Sequence, residues 1–191
     1  MMKKYFTFLL ILLSVSANSQ TGPAGIGTST NNVLWLKSDN GVYSDLGVTL
    51  AVTTNNVQQW NDNSGNSDNA IQNTSGNRPN YITGVLNSLP IIRYTAANAD
   101  LLMSTTVGTG HAASVWAVAS YSSLPSANPG ILVAAPAGSG TNVAPGNKSI
   151  GMWVSNAAGT RVWGRGIQSN NTSRDISQVT TLSASTFYIV N

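Results

Sequence analysis

Short apolar runs, separated every few residues by Asn, Gly, Ser or Pro, constrain the fold of this chain more than any other feature. No run of ten or more residues keeps the period of a helix, whereas the spacing of the short runs is typical of strands joined by turns. We therefore predict an all-β fold, an antiparallel β-sandwich. The candidate strands are residues 33–36, 48–52, 57–60, 89–94, 114–121, 130–134, 150–154, 160–164 and 186–190.

Three of these runs carry more specific expectations. Residues 114–121 are apolar on both faces, which indicates a strand in the centre of a sheet. Residues 150–154 and 160–164 flank a loop that contains Gly159, which predicts a β-hairpin. The last run stops at Asn191 without a turn or a polar tail. We expect a chain that is incomplete at its C-terminus, and the alternative is a closing strand.

The composition fits such a fold and excludes several others. Only 8% of the residues are charged, against about 25% in an ordinary globular domain. Ser, Thr and Asn together make 65 of the 191 residues, while Glu and Cys are absent. Helical bundles and coiled coils are therefore disfavoured, and disulfides or cysteine-ligated metal sites are excluded.

The N-terminus has the layout of a secretory signal peptide over residues 1–17. Lys3 and Lys4 precede an apolar stretch that is too short to span a bilayer, and small residues end at Ala17. Cleavage is expected after Ala17 or within the next three residues, and an uncleaved membrane anchor is the alternative. We therefore expect a secreted or cell-surface protein, of bacterial type, without a membrane span after cleavage. Residues 18–32 are predicted to be a flexible lead-in, and residues 33–191 one β-sandwich.

Cleavage of the signal peptide also changes the charge. Seven Lys or Arg then remain against six Asp, a net charge of +1. The remaining basic residues are scattered along the chain and form no stripe that could follow a phosphate backbone. We therefore do not expect a nucleic-acid partner.

Five motifs occur in an order that resembles a known family. They are Gly22–Gly27 (GPAGIG), Leu34–Val42 (LWLKSDNGV), Trp60–Ala70 (WNDNSGNSDNA), Arg78–Tyr81 (RPNY) and Leu89–Tyr94 (LPIIRY), followed by Asp100-Leu101. Over about residues 22–165 the chain resembles the concanavalin A-like (laminin G-like) jelly-roll modules of secreted Bacteroidetes surface proteins. The resemblance implies a jelly roll of two antiparallel sheets, with a role in glycan binding, adhesion or architecture within a larger exported protein. Tyr94-Thr95-Ala96 departs from the family pattern, which has an acidic residue there.

Aromatic side chains are the candidates for stacking on a sugar ring. Trp35, Trp116, Trp153 and Trp163 lie in apolar runs, where core packing is the simpler interpretation. Trp60 instead opens an Asn-rich loop, and Tyr81 lies at the edge of another loop. With the amide of Asn61, they form the predicted ligand-binding set for a glycan or a cell-surface protein.

The Asn-rich loop also contains the candidate metal ligands. Asp62, Ser64, Asn66 and Asp68 place side-chain oxygens on alternate residues, as some calcium loops do. We single out Asp62, Asn66 and Asp68 as candidate calcium ligands, and we expect no other cofactor. The pattern fails the EF-hand spacing, and a tight turn in which Asp and Asn cap backbone amides is the alternative.

No pattern of catalytic residues is recognisable. The single histidine, His111, lies in a predicted loop without a nucleophile motif, and no nucleophile elbow occurs. Glycoside hydrolysis needs two carboxyl groups about 5–10 Å apart, but the chain has no glutamate and its six aspartates lie mostly in predicted loops. We therefore expect a non-catalytic module that binds a glycan or mediates adhesion. A hydrolase or lyase of the same fold and a structural spacer are the alternatives.

Overall fold

The fold was described from a computed structural model. The residues that it describes are 31–98, 100, 102, 114–123, 130–134, 150–155, 161–167, 173–178 and 182–190. The chain divides into two compact units, Met1–Gly108 and Thr109–Asn191. The predicted signal peptide, residues 18–30 of the predicted lead-in and His111 lie outside the described residues. The expected single sandwich over 33–191 stays a prediction.

The first unit contains a three-stranded antiparallel sheet. Its strands β1 (Val42–Tyr43), β2 (Gln59–Trp60) and β3 (Ala70–Ile71) follow one another in chain order. Val42 and Ala70 are buried, and so is Val57 just before β2. These side chains form a small apolar core beneath a sheet whose strands have only two residues each.

A hairpin completes the described part of the first unit. Strands β4 (Asn80–Leu86) and β5 (Leu89–Arg93) pair antiparallel, with Leu86 opposite Leu89. The register shifts between Ile82 and Leu86, where Gly84 adopts a φ of +70°. A glycine inside a strand commonly marks such an irregularity. Backbone hydrogen bonds between residues 54–57 and 79–81 tie the hairpin to the chain segment that leads into β2.

The second unit contains a four-stranded antiparallel meander. Its strands are β7 (Gly130–Ala134), β8 (Ile150–Ser155), β9 (Arg161–Ile167) and β10 (Ser173–Gln178), each paired with the next. Ser155 pairs with Arg161, so the predicted hairpin is confirmed. Trp153 lies directly opposite Trp163 in this register.

Two further strands of the second unit form a separate pair. Strand β6 (Ala117–Ala119) pairs antiparallel with β11 (Tyr188–Val190). Val118 and Ile189 lie opposite each other and are both exposed, while Val190 is buried. Trp116, on the same face as Val118, is 67% exposed. The prediction that Trp116 packs in a core is therefore wrong, and within the described residues β6 belongs to a two-stranded pair rather than to the centre of a sheet.

The prediction of an all-β fold is confirmed in its coarse form. Within the described residues, strands form antiparallel sheets, and helix is limited to two 3-10 turns, Ser75–Asn77 and Ala96–Asn98. Two predicted strands are wrong, because residues 33–36 and 48–52 contribute only isolated bridges at Leu36 and Leu50. Strands β1, β3, β4 and β10 were not predicted.

Candidate functional site

The Lys37–Gly41 loop lies between the first sheet and the β4–β5 hairpin. Its start is a tight turn in which the Asn40 N–H donates to the Lys37 carbonyl (3.3 Å). Its end is Gly41, whose φ of +72° favours glycine. The Ser38 hydroxyl donates to the Pro90 carbonyl in β5 (2.7 Å), which fixes the loop against the hairpin.

The charged groups of this loop face solvent. Lys37 Nζ lies 3.6 Å from the Asp39 carboxylate, and the two side chains are 33% and 41% exposed. The same ammonium lies 5.3 Å from the centre of the Trp35 ring, within the range of a cation–π interaction. Lysine, carboxylate and indole thus lie together at the surface of the loop.

Trp60 and Asn61 contact the loop from the β2 side. The Trp60 indole N–H donates to the Lys37 carbonyl (2.7 Å), which fixes the orientation of a partly buried ring. The Asn61 N–H donates to the Gly41 carbonyl (2.8 Å). The Asn61 amide oxygen accepts from Gln59 Nε2 (2.7 Å), so this side chain is also held in place.

Tyr81 approaches the loop from the hairpin side. It lies in β4 opposite Ile92 and is partly buried. Burial raises the pKa of its hydroxyl, and the negative charge of Asp39 raises it further. The phenol therefore stays protonated and remains a hydrogen-bond donor. Two of the three predicted ligand residues, Trp60 and Asn61, thus contact the loop, and Tyr81 is close enough to sense the charge of Asp39.

Lys37 and Asp39 belong to this arrangement but were not predicted as site residues. They lie in the LWLKSDNGV motif, but no residue near them in the sequence indicated which side chains they would meet in the fold. Asp39 acts on Tyr81 across 42 sequence positions, and Trp60 reaches Lys37 across 23. Only the fold brings these groups together.

Asp62 organises a second element, the Asp62 turn (Asn61–Asn69). Its Oδ1 accepts from the N–H groups of Trp35 (2.9 Å) and Ser64 (2.8 Å). Its Oδ2 accepts from the Ser64 hydroxyl (2.5 Å) and from the Asp68 N–H (3.3 Å). Partial burial raises the Asp62 pKa, but these hydrogen bonds outweigh it and hold the pKa below its ordinary value.

The other candidate calcium ligands lie in the same turn. The Asn66 amide nitrogen is within hydrogen-bond distance of the Asn32 and Val33 carbonyls and of the buried Ser64 hydroxyl. Asp68 reaches Asp62 through its backbone N–H. N–H and O–H donors surround both oxygens of Asp62, an arrangement that suits a capped turn better than a cation. Within the described residues, no group of three or more His, Asp or Glu side chains could hold a metal ion.

A side-chain link joins the Asp62 turn to the Lys37–Gly41 loop, in addition to the Asn61 N–H bond to the Gly41 carbonyl. The Asn40 amide nitrogen donates to Asn63 Oδ1 (2.6 Å). The Asn63 amide nitrogen donates in turn to the Asn61 carbonyl (3.0 Å), which fixes the orientation of the Asn63 amide. The turn therefore supports the loop through an amide–amide contact.

Comparisons with known proteins add no relative. No protein-family model matches the chain, and neither does any curated protein or solved structure. Among the residues that the structure describes, no helix has both the length and the apolar character needed to cross a membrane.

Proposed function

We propose that this chain is a non-catalytic module of a secreted or cell-surface protein that binds a neutral glycan at the Lys37–Gly41 loop. The proposal includes the concanavalin A-like jelly roll that the order of the sequence motifs implies. The observation that supports it most is that Trp60 and Asn61 contact this one loop and that the charge of its Asp39 acts on Tyr81. Export through residues 1–17 is part of the same proposal.

The chemistry of the loop suits a sugar. Sugar rings offer apolar C–H faces for aromatic rings and hydroxyl groups for carboxylates and amides. Trp60 supplies an indole ring held by its own hydrogen bond, Tyr81 a hydroxyl donor, and Asp39 an exposed acceptor. Because hydrogen bonds fix the loop before any ligand arrives, little conformational entropy is lost on binding. The Lys37–Asp39 pair has no net charge, which favours a neutral ligand.

A glycan array with the purified chain tests this proposal. We expect saturable binding to at least one neutral glycan, weakened about tenfold by Trp60→Ala, since an aromatic at the centre of a contact is commonly worth more than 1 kcal/mol. Tyr81→Phe and Asp39→Asn should each weaken binding less, because each removes one polar contact. Trp116→Ala is the matched control, since Trp116 is an exposed tryptophan in the second unit.

Two outcomes would contradict this function, and a third would contradict the proposed site. Absence of saturable binding to any glycan or cell surface would leave the structural spacer. Release of reducing ends from a polysaccharide by the purified chain would show an enzyme of the same fold. Equal loss of binding in Trp60→Ala and Trp116→Ala would place the ligand elsewhere.

Calcium at Asp62, Asn66 and Asp68 remains a separate prediction. A ligand that binds only the folded protein raises the thermal midpoint. If calcium binds, EDTA should lower the midpoint of the wild type but not that of Asp68→Asn. An unchanged wild-type midpoint would leave the capped turn as the role of these residues.

A further inference from the structure

Asn40-Gly41 is a chemically distinctive dipeptide in this chain. The sequence has 22 asparagines, and this is the only one followed by glycine. Asparagine is thermolabile, because the backbone nitrogen of the next residue can attack the carbon of its side-chain amide. Glycine at the next position favours the attack, since it has no side chain to obstruct it and leaves the backbone free to rotate.

The fold requires this glycine. Gly41 has a φ of +72°, and a Cβ atom built on it would lie 2.7 Å from Cβ of Asn61. Any other residue would have to displace the start of the Asp62 turn. The reactive dipeptide is therefore a consequence of how closely the Lys37–Gly41 loop approaches β2.

The surroundings of the dipeptide leave it open to reaction. Asn40 is exposed to solvent. Within residues 31–98, the N–H of Gly41 donates no hydrogen bond, so no hydrogen bond has to be broken before this nitrogen can react. Among the described residues, the Asn40 side chain is held by its surface hydrogen bond to Asn63.

We infer that Asn40 is a site of spontaneous deamidation that removes the side-chain link between the Lys37–Gly41 loop and the Asp62 turn. The Gly41 nitrogen bonds to Cγ of Asn40, its proton passes through solvent to the departing amide nitrogen, and ammonia leaves. A cyclic succinimide remains. Water then opens one of the two C–N bonds of the ring and gives aspartate or isoaspartate. The net reaction consumes one water molecule and releases one ammonia.

The product disrupts the side-chain link between Asn40 and Asn63. Asn40 donates to Asn63 Oδ1 through its amide nitrogen, and a carboxylate has no proton to donate at neutral pH. Two acceptor oxygens would then face each other, because the Asn63 amide is held by its bond to the Asn61 carbonyl. The new negative charge also lies next to Asp39 in the sequence. The modified protein should therefore unfold at a lower temperature than the fresh protein.

Peptide mapping by mass spectrometry tests the inference on the purified full chain. After incubation at mildly alkaline pH, the peptide containing Asn40 should gain the mass of an amide-to-acid conversion and separate into aspartate and isoaspartate forms. Asn87, an exposed asparagine followed by Ser88, is the internal control and should convert more slowly. Asn40→Asp should lower the thermal midpoint, and Asn40→Gln should resist conversion.

Three results would overturn the inference. Conversion of Asn40 in guanidinium chloride but not in the folded chain would mean that the Asn63 contact protects it. Conversion of Asn87 as rapidly as Asn40 would remove the role of Gly41. A thermal midpoint of Asn40→Asp equal to that of the wild type would show that the link to the Asp62 turn is dispensable.

Discussion

Two turns of the first unit use the same kinds of residue but are held by different forces. The Asp62 turn depends on side chains, because one carboxylate accepts four hydrogen bonds and the Ser64 side chain is fully buried. The Asn87-Ser88 turn depends on the backbone. Its two residues have φ values of 49° and 64°, which match the tight turn favoured between antiparallel strands. Substitutions can separate these two kinds of stabilisation.

Removal of the Asp62 carboxylate should have the largest effect. Hydrogen bonds to a charged group are worth about 1.5–3 kcal/mol each, and they are not additive, so we expect Asp62→Ala to lower the free energy of unfolding by about 3 kcal/mol. Asn87→Ala should lower it by only about 1 kcal/mol, the cost of a left-handed alanine. Denaturant unfolding monitored by tryptophan fluorescence measures both. Equal losses would contradict the difference between the two turns.

The next largest effect should come from Gly41→Ala, which disturbs the contact between the Lys37–Gly41 loop and the Asp62 turn. Its positive φ costs about 1–2 kcal/mol for alanine, and the 2.7 Å approach to Asn61 Cβ adds to that, for a total of about 2–3 kcal/mol. Gly84→Ala is the matched control in the hairpin. It has a similar φ of +70° but nothing within 4 Å, so it should lose only about 1–2 kcal/mol, the cost of the positive φ. Similar losses at both positions would show that the close approach has no cost.

The sequence predicted strands well where apolar runs are bounded by turn residues, as in β5, β7 and the β8–β9 hairpin. Strand prediction failed where side chains, rather than a neighbouring strand, accept the hydrogen bonds of backbone N–H groups. Residues 48–52 alternate like a strand, but the Asp45 carboxylate accepts from the N–H groups of Val48 and Thr49. Asn55 caps Val52 in the same way. Val48, Leu50 and Val52 are consequently exposed, although their alternation predicts burial on one face.

The site residues show a second limit of sequence reasoning. Composition and position singled out Trp60, Asn61 and Tyr81 one at a time, and no local pattern linked them. The Lys37–Gly41 loop near them is held by long-range contacts, among them those from Trp60 to Lys37 and from Ser38 to Pro90. Strand β4 was not predicted because Gly84 interrupts its apolar residues. The strand nevertheless continues past Gly84, with a shift in register.

Acid should weaken the Asp62 turn before the Asn87-Ser88 turn. The Asp62 pKa lies below its ordinary value of 3.8 in the folded state, so its stabilisation is fully present above that value. It is lost as the pH falls through the lower, folded-state pKa. We expect the denaturant midpoint of the wild type to fall in this acid range more steeply than that of Asp62→Ala. Parallel acid profiles would mean that Asp62 does not couple folding to pH.

The contribution of Asp45 to the loss of stability in acid must be measured separately from that of Asp62. Hydrogen bonds from the Thr49 side chain, and from the N–H groups of Thr49 and Val48, hold its pKa below the ordinary value as well. Asp45→Ala therefore removes a second acid-sensitive group, outside the Asp62 turn. The double variant with Asp62→Ala shows which share of the acid profile belongs to each carboxylate.

Ser88→Gly should produce the smallest effect, and one of opposite sign. Ser88 holds a left-handed conformation that glycine adopts without strain, and Asn-Gly is the preferred pair for this kind of hairpin turn. We expect a gain of about 0.5–1 kcal/mol, seen as a higher denaturant midpoint with an unchanged slope.

Ser67→Gly is the matched change in the Asp62 turn, since Ser67 has a φ of 65°. If backbone strain at a single residue determines the gain, the free energy of unfolding should rise equally in both variants. A gain at Ser88 alone would show that the twist of the β4–β5 hairpin, rather than local strain, sets the preference for glycine. A loss at Ser88 would contradict the view that backbone conformation holds this turn.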